Sequence, residues 1–123
     1  MNSATDRVRF IIHEAKQILL VDLSNCSARE VERITRALPE LVTTRPRKSV
    51  LILSDFTGAS FDEEAFRAMK ETAVFDKPHV KKSAWVGAGN LGAFSENMRH
   101  YSRRDFPAFE TREEALTWLL KDS

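Results

Sequence analysis

Residues 18–21, Ile-Leu-Leu-Val, and residues 50–53, Val-Leu-Ile-Leu, are unbroken apolar runs, each followed within two residues by an aspartate. A strand with one wet face alternates apolar and polar side chains. A short unbroken run instead belongs to a strand covered on both faces, as in parallel sheets. The segment between the two runs reads as a capped helix. Strands that alternate with helices require a largely parallel sheet joined by right-handed crossovers.

The rest of the chain keeps that alternation. "VRFIIHEAKQILLVDL" predicts two strands around a polar turn at Glu14 to Gln17. Ser27 and Glu30 have the spacing of a capping box. Val31, Ile34, Leu38, Leu41 and Val42 then recur at helical spacing, with Pro39 expected to kink or interrupt the helix. "SVLILSD" is the next strand, and Ser60 with Glu63 predicts a second capped helix carrying Ala65, Phe66, Met69 and Ala73 inward. "SAWVGA" predicts a strand and "GNLGAFSENMRHYS" a shorter helix. "DFPAFE" predicts a weak edge strand, because Pro107 has no N–H to give the ladder. Thr111 and Glu114 open a last helix with Ala115, Leu116, Leu119 and Leu120 inward. The expected order is ββαβαβαβα: an α/β domain with a mostly parallel five-stranded sheet, an N-terminal antiparallel hairpin strand and four helices.

At 123 residues the chain suits one domain, taken as 1–123 with a core of about 7–121. Nineteen basic residues against eighteen acidic ones argue against a general nucleic-acid binder, which needs a dominant positive field. One cysteine, Cys26, forms no internal disulfide, and His13, His79 and His100 have no partner at metal-ligand spacing. No metal or cofactor is expected. "MNSATDRVRF" lacks the apolar stretch of a signal peptide and no run approaches a membrane span, so the expectation is a cytoplasmic protein.

Four segments in this order, "VDLSNCS", "VLILSDFTGASFDEEAF", "KPHVKKSAWVGAGNL" and "FETREEALTWLL", resemble the STAS/SpoIIAA-like family, in particular its bacterial branch of small stand-alone proteins. The resemblance covers about residues 7 to 121. It implies a SpoIIAA-like sandwich related in fold to CRAL-TRIO lipid-binding domains, and no enzyme. It implies a regulatory module that binds a protein partner, a homodimer remaining open. The alternative is a carrier of a small apolar or anionic ligand, lipid included. In antagonists of that family a strand ends in an Asp-hydrophobe-Ser-Gly pattern, and a serine at the next helix start is phosphorylated to release the partner. Asp55-Phe56-Thr57-Gly58 matches the first pattern. Asp62-Glu63-Glu64 stands where the serine would fall, which implies a module without the switch.

The candidate contact residues are therefore Asp55, Phe56, Thr57, Gly58 and Ser60, at the carboxyl end of a parallel strand, where ligands and partners dock in α/β sheets. The plain alternative is a capped helix start, with Ser60 as N-cap and Gly58 supplying a positive φ. "GAGNLG", residues 87–92, has the Gly-x-Gly-x-x-Gly spacing, but in the wrong crossover for a dinucleotide fold. Gly87, Gly89 and Asn90 are candidates for holding a simple anion at a helix start, against a tight turn. Cys26 precedes a helix N-cap, where a thiolate is favoured, but no histidine lies near it in sequence to activate it. Basic clusters precede three strands: Arg45, Arg47 and Lys48; Lys77, Lys81 and Lys82; Arg103 and Arg104. Parallel strands start at one edge, so these clusters are expected to share a pole. There they complement helix dipoles or face an acidic partner or anionic lipid headgroups.

Overall fold

The computed structural model describes residues 7–87, 98, 100, 102 and 106–121. Its strands are β1 (Val8–His13), β2 (Lys16–Asp22), β3 (Val50–Asp55), β4 (Val80–Val86) and β5 (Ala108–Phe109). They lie in the order β1-β2-β3-β4-β5, with β1 antiparallel to β2 and every other pairing parallel. The described helices are α1 (Ala28–Val42), α2 (Glu63–Asp76) and α3 (Arg112–Leu120), with a 3-10 turn over Lys77–His79. The described residues thus hold three helices where four are expected. The stretch assigned to the other, residues 89–102, lies mostly outside the described residues; Met98, His100 and Ser102, which are described, are helical. The hairpin turn is shorter than the expected Glu14 to Gln17. Glu14 and Ala15 make it alone, with φ of 49° and 67°. Two left-handed residues give the tight turn whose twist matches the flanking strands.

The two-faced burial inferred from the apolar runs is present. Along β2, β3 and β4 successive side chains point to opposite faces. Leu19, Val21, Val50, Ile52 and Trp85 meet α1 and α2 through Val31, Ile34, Ala65 and Met69. Ile18, Leu20, Leu51, Leu53, Ala84 and Val86 meet α3 through Ala115 and Leu119. Right-handed crossovers that advance steadily across a sheet put their helices on one face. That places α1 and α2 together and leaves the second face to α3.

Pro39 does not interrupt α1, which runs through it to Val42. A proline has no N–H for the carbonyl four residues back, here Thr35. Thr35 is buried, and its carbonyl instead accepts the Thr72 hydroxyl of α2 at 3.4 Å. The Arg36 guanidinium adds an ion pair to Glu71 at 3.0 Å across the same seam. Thr72→Val, which keeps the shape and removes the donor, is expected to cost about 1–3 kcal/mol in urea unfolding, the range for orphaning a buried polar group. An unchanged midpoint would show that the carbonyl is satisfied otherwise.

Candidate functional site

The carboxyl ends of β2 and β3 carry the same turn twice. Asp22 and Asp55 are register partners on adjacent strands. The Asp22 Oδ1 accepts the Ser24 hydroxyl at 2.6 Å and the Ser24 amide at 3.1 Å. The Asp55 Oδ1 accepts the Thr57 hydroxyl at 2.7 Å and the Thr57 amide at 3.0 Å. Each turn then closes with a backbone bond, Cys26 N–H to the Leu23 carbonyl and Ala59 N–H to the Phe56 carbonyl. Each has a left-handed third residue, Asn25 at φ 58° and Gly58 at φ 70°. Asp-x-Ser/Thr favours this because the carboxylate bonds the backbone two residues on.

The turns are also fastened to each other. Leu23 N–H donates to the Asp55 carbonyl, Asn25 N–H to Thr57, Phe56 N–H to Val86 and Ser60 N–H to Cys26. The parallel ladder therefore continues past the strands into the loops. A Cβ on Gly58 would overlap the Asn25 side chain, and one on Gly87 would stand 2.9 Å from the Thr57 N and Cα. Gly87, at φ 68°, is thus a close-packed turn residue whose N–H donates to the Phe109 carbonyl at 3.2 Å.

A cation from the far face completes the cluster. Arg112 Nε donates to Asp55 Oδ2 at 2.7 Å, and its NH2 lies 3.4 Å from Asp22 Oδ1. Arg7 stands 3.7 Å from the same Asp22 oxygen and donates to the Ser24 carbonyl at 2.9 Å. Burial acts to raise the Asp55 pKa. The Thr57 hydroxyl and amide, then Arg112, outweigh it and hold the carboxyl below its usual value of 3.8. Two carboxylates and two guanidiniums in mutual contact make a neutral, satisfied cluster that orders loops.

Asp55 and Phe56 are buried beneath the turn, while Thr57, Gly58 and Ser60 are exposed. Phe56 packs edge-on against Trp85, 5.1 Å between ring centres, and 5.8 Å from Phe61. Gly89 and Asn90 lie outside the described residues. Ser60 does not cap the following helix: Asp62 does, its Oδ1 accepting the Ala65 amide at 2.8 Å. Cys26 is buried, and burial pushes its thiol pKa up, with Arg7 opposing. Among the described residues no group of His, Cys, Asp and Glu side chains could hold a metal ion.

Sequence reasoning missed Arg112, which lies 57 residues from Asp55. One local signal was present: an arginine at the first position of a helix opposes the helix dipole, so its charge must be met elsewhere.

No protein-family model matches the chain, and no curated protein matches it. Among solved structures it is similar to an uncharacterised protein of the DUF3478 family from Shewanella loihica PV-4, described as having a SpoIIAA-like fold. The superposition has a TM-score of 0.66 at 17% identity and covers 91% of each chain. The five-stranded mixed sheet, its helical layers and this likeness agree that the chain has a SpoIIAA-like fold.

Proposed function

We propose that the chain is a non-catalytic regulatory module that docks a protein partner on the crest of its strand-end turns, through Asn25, Thr57, Gly58 and Ser60. The observation that carries this reading is the twin Asp-x-Ser/Thr turn, bonded loop to loop and clamped by Arg112. A surface already ordered loses little conformational entropy when a partner lands, which favours recognition by shape. The cluster's charges are spent on one another, which supports a non-enzymatic role. Asp62, Glu63 and Glu64 begin the next helix and repel a phosphate of about −1.5 to −2 charges, so binding is constitutive in this reading.

The carrier alternative has less support in its apolar form. The cavity between α1, α2 and the sheet is about 60 Å³ and is lined by Thr35, Thr72, Asp76, Ser83, Trp85 and Met98 among others. That volume suits a water or two, far below the roughly 300–1,000 Å³ of ligand pockets.

Site-specific photo-crosslinking from position 60 in the native host tests the docking surface. One discrete adduct, lost with Thr57→Arg, is the expected result. The same adduct with Thr57→Arg, or none at all, would remove the crest from consideration. Phosphate at Ser60 or Thr57 that alters the adduct would restore a switch.

A further inference from the structure

The opposite pole carries a different kind of surface. Strands β2, β3 and β4 begin there, β1 ends there, and α1 and α2 run back to it. Lys16, Arg45, Arg47, Lys48, Lys77 and Lys81 gather at this end. Two adjoining clefts record the convergence. One, of about 310 Å³, is lined by Lys16, Arg45 and Lys81 with Phe10 as an aromatic wall. The other, of about 350 Å³, is lined by Lys48, Lys77, Lys81 and Lys82 with Trp118. Arg45 lies 4.0 Å over the Phe10 ring, while the Lys82 ammonium lies 4.8 Å over the Trp118 ring and is engaged by the Trp118 and Lys121 carbonyls. Among the described residues none of Arg45, Arg47, Lys48, Lys77 and Lys81 makes an ion pair. Three exposed carboxylates lie at or beside the pole, Glu14 in the hairpin turn, Glu40 in the last turn of α1 and Glu71 next to Val74 and Phe75, the last paired with Arg36, and the cations outnumber them.

Dipole complementation accounts for only part of this set: Lys77 is the C-cap of α2, and the neighbouring Lys82 donates to the carbonyls at the end of α3. None of the three described helices has a basic residue within its last turn; Arg45, Arg47 and Lys48 sit in the connection after α1, while Lys16 and Lys81 lie in β2 and β4.

The pole is also where the apolar exceptions lie. Ile12, Val74 and Phe75 are the exposed large hydrophobics among the described residues, at 70%, 46% and 69%. Ile12 precedes the last residue of β1, beside the hairpin turn, and Val74 and Phe75 fall in the last turn of α2, separated from Lys77 by the buried Asp76. A set of cations with exposed apolar side chains at the same end of the sheet matches a surface that is anionic outside and apolar just beneath. Nucleic acid supplies the phosphates but no apolar phase for Ile12 and Val74.

We propose that this pole docks on an anionic lipid surface, its lysines and arginines on headgroup phosphates and Phe75, Val74 and Ile12 dipping into the interface. The site lies across the sheet from the strand-end crest and does not depend on it.

Vesicle flotation with the full chain tests this. Vesicles of phosphatidylcholine with about 30% phosphatidylserine should carry the protein at about 0.1 M salt and release it near ~0.5 M, and pure phosphatidylcholine should carry none. Lys48→Gln/Lys77→Gln/Lys81→Gln should weaken partitioning roughly a hundredfold, at a factor of about five per cation lost. Ile12→Ser/Phe75→Ser, both at exposed positions, should weaken it while keeping the salt dependence. Thr57→Arg should leave it unchanged, so failure here and failure of the crest reading are told apart. Several results would overturn the proposal: no vesicle binding, full binding by the apolar double variant, displacement by ~10 mM inorganic phosphate at constant ionic strength (a free-anion site), or tighter binding to single-stranded RNA than to vesicles.

Discussion

Leu51→Ala is expected to lower the unfolding free energy by about 2–5 kcal/mol, the range for deleting a buried leucine side chain. Leu51 lies in β3, the middle strand, and is 5% exposed. It belongs to the cluster of Ile18, Leu20, Leu53 and Ala84 that faces α3. Neighbours on both adjoining strands hold the walls of the hole apart, so the site collapses little. Urea unfolding should show a lower midpoint at an unchanged slope, since the surface exposed on unfolding barely changes. A loss under ~1 kcal/mol would mean that the second face is not a packed core.

The second large effect belongs to the strand-end cluster. Arg112→Ala leaves the Asp55 side chain, 8% exposed, without its cation, while the Thr57 bonds remain. Removing one partner of a fully buried pair costs ~3–5 kcal/mol; Arg112 is 40% exposed, so solvent screening brings the expected loss to about 1–3 kcal/mol. The pH dependence follows from the direction of the Asp55 shift. Its pKa in the folded state lies below the usual 3.8, so the folded state favours the carboxylate. That contribution is fully present above 3.8 and is lost as pH falls through the lower, folded value. Asp55→Asn should therefore be less stable than the parent at neutral pH, and the gap should narrow on acidification below about pH 4. A gap that stayed constant from pH 6 to about pH 2.5 would show that Asp55 is not held as a carboxylate by these partners.

Much of this architecture is legible in the chain because its cause is local. Two continuous apolar runs announce strands covered on both faces, and both are. Ser27 and Glu30 announce a capping box, and each bonds the other's backbone, at 3.2 Å and 2.9 Å. Ser60 and Glu63 show the same letters and no such box. The Ser60 amide is drawn to the Cys26 carbonyl of the neighbouring turn, and the helix begins two residues later on Asp62. With two cap-competent residues so close together, a tertiary bond decides, and sequence spacing does not encode it. Pro39 is a similar case. Its local cost is legible; the Thr72 hydroxyl that offsets it comes from another helix. The candidate turn was visible as Asp55-Phe56-Thr57-Gly58. Its twin at Asp22-Leu23-Ser24-Asn25 was not, because the likeness becomes visible only when β2 and β3 pair in register.

The division of the helices between the two faces has a consequence for synthesis. Among the described residues α3 alone covers the face built by Ile18, Leu20, Leu51, Leu53, Ala84 and Val86. All six are synthesised before the first turn of α3, and chain growth at ~5–20 residues per second leaves that interval open for seconds. A nascent chain therefore presents a two-layer intermediate with one finished side and one adhesive side. Until Leu119 arrives, holding that side apart from other chains falls to chaperones and to the speed of translation.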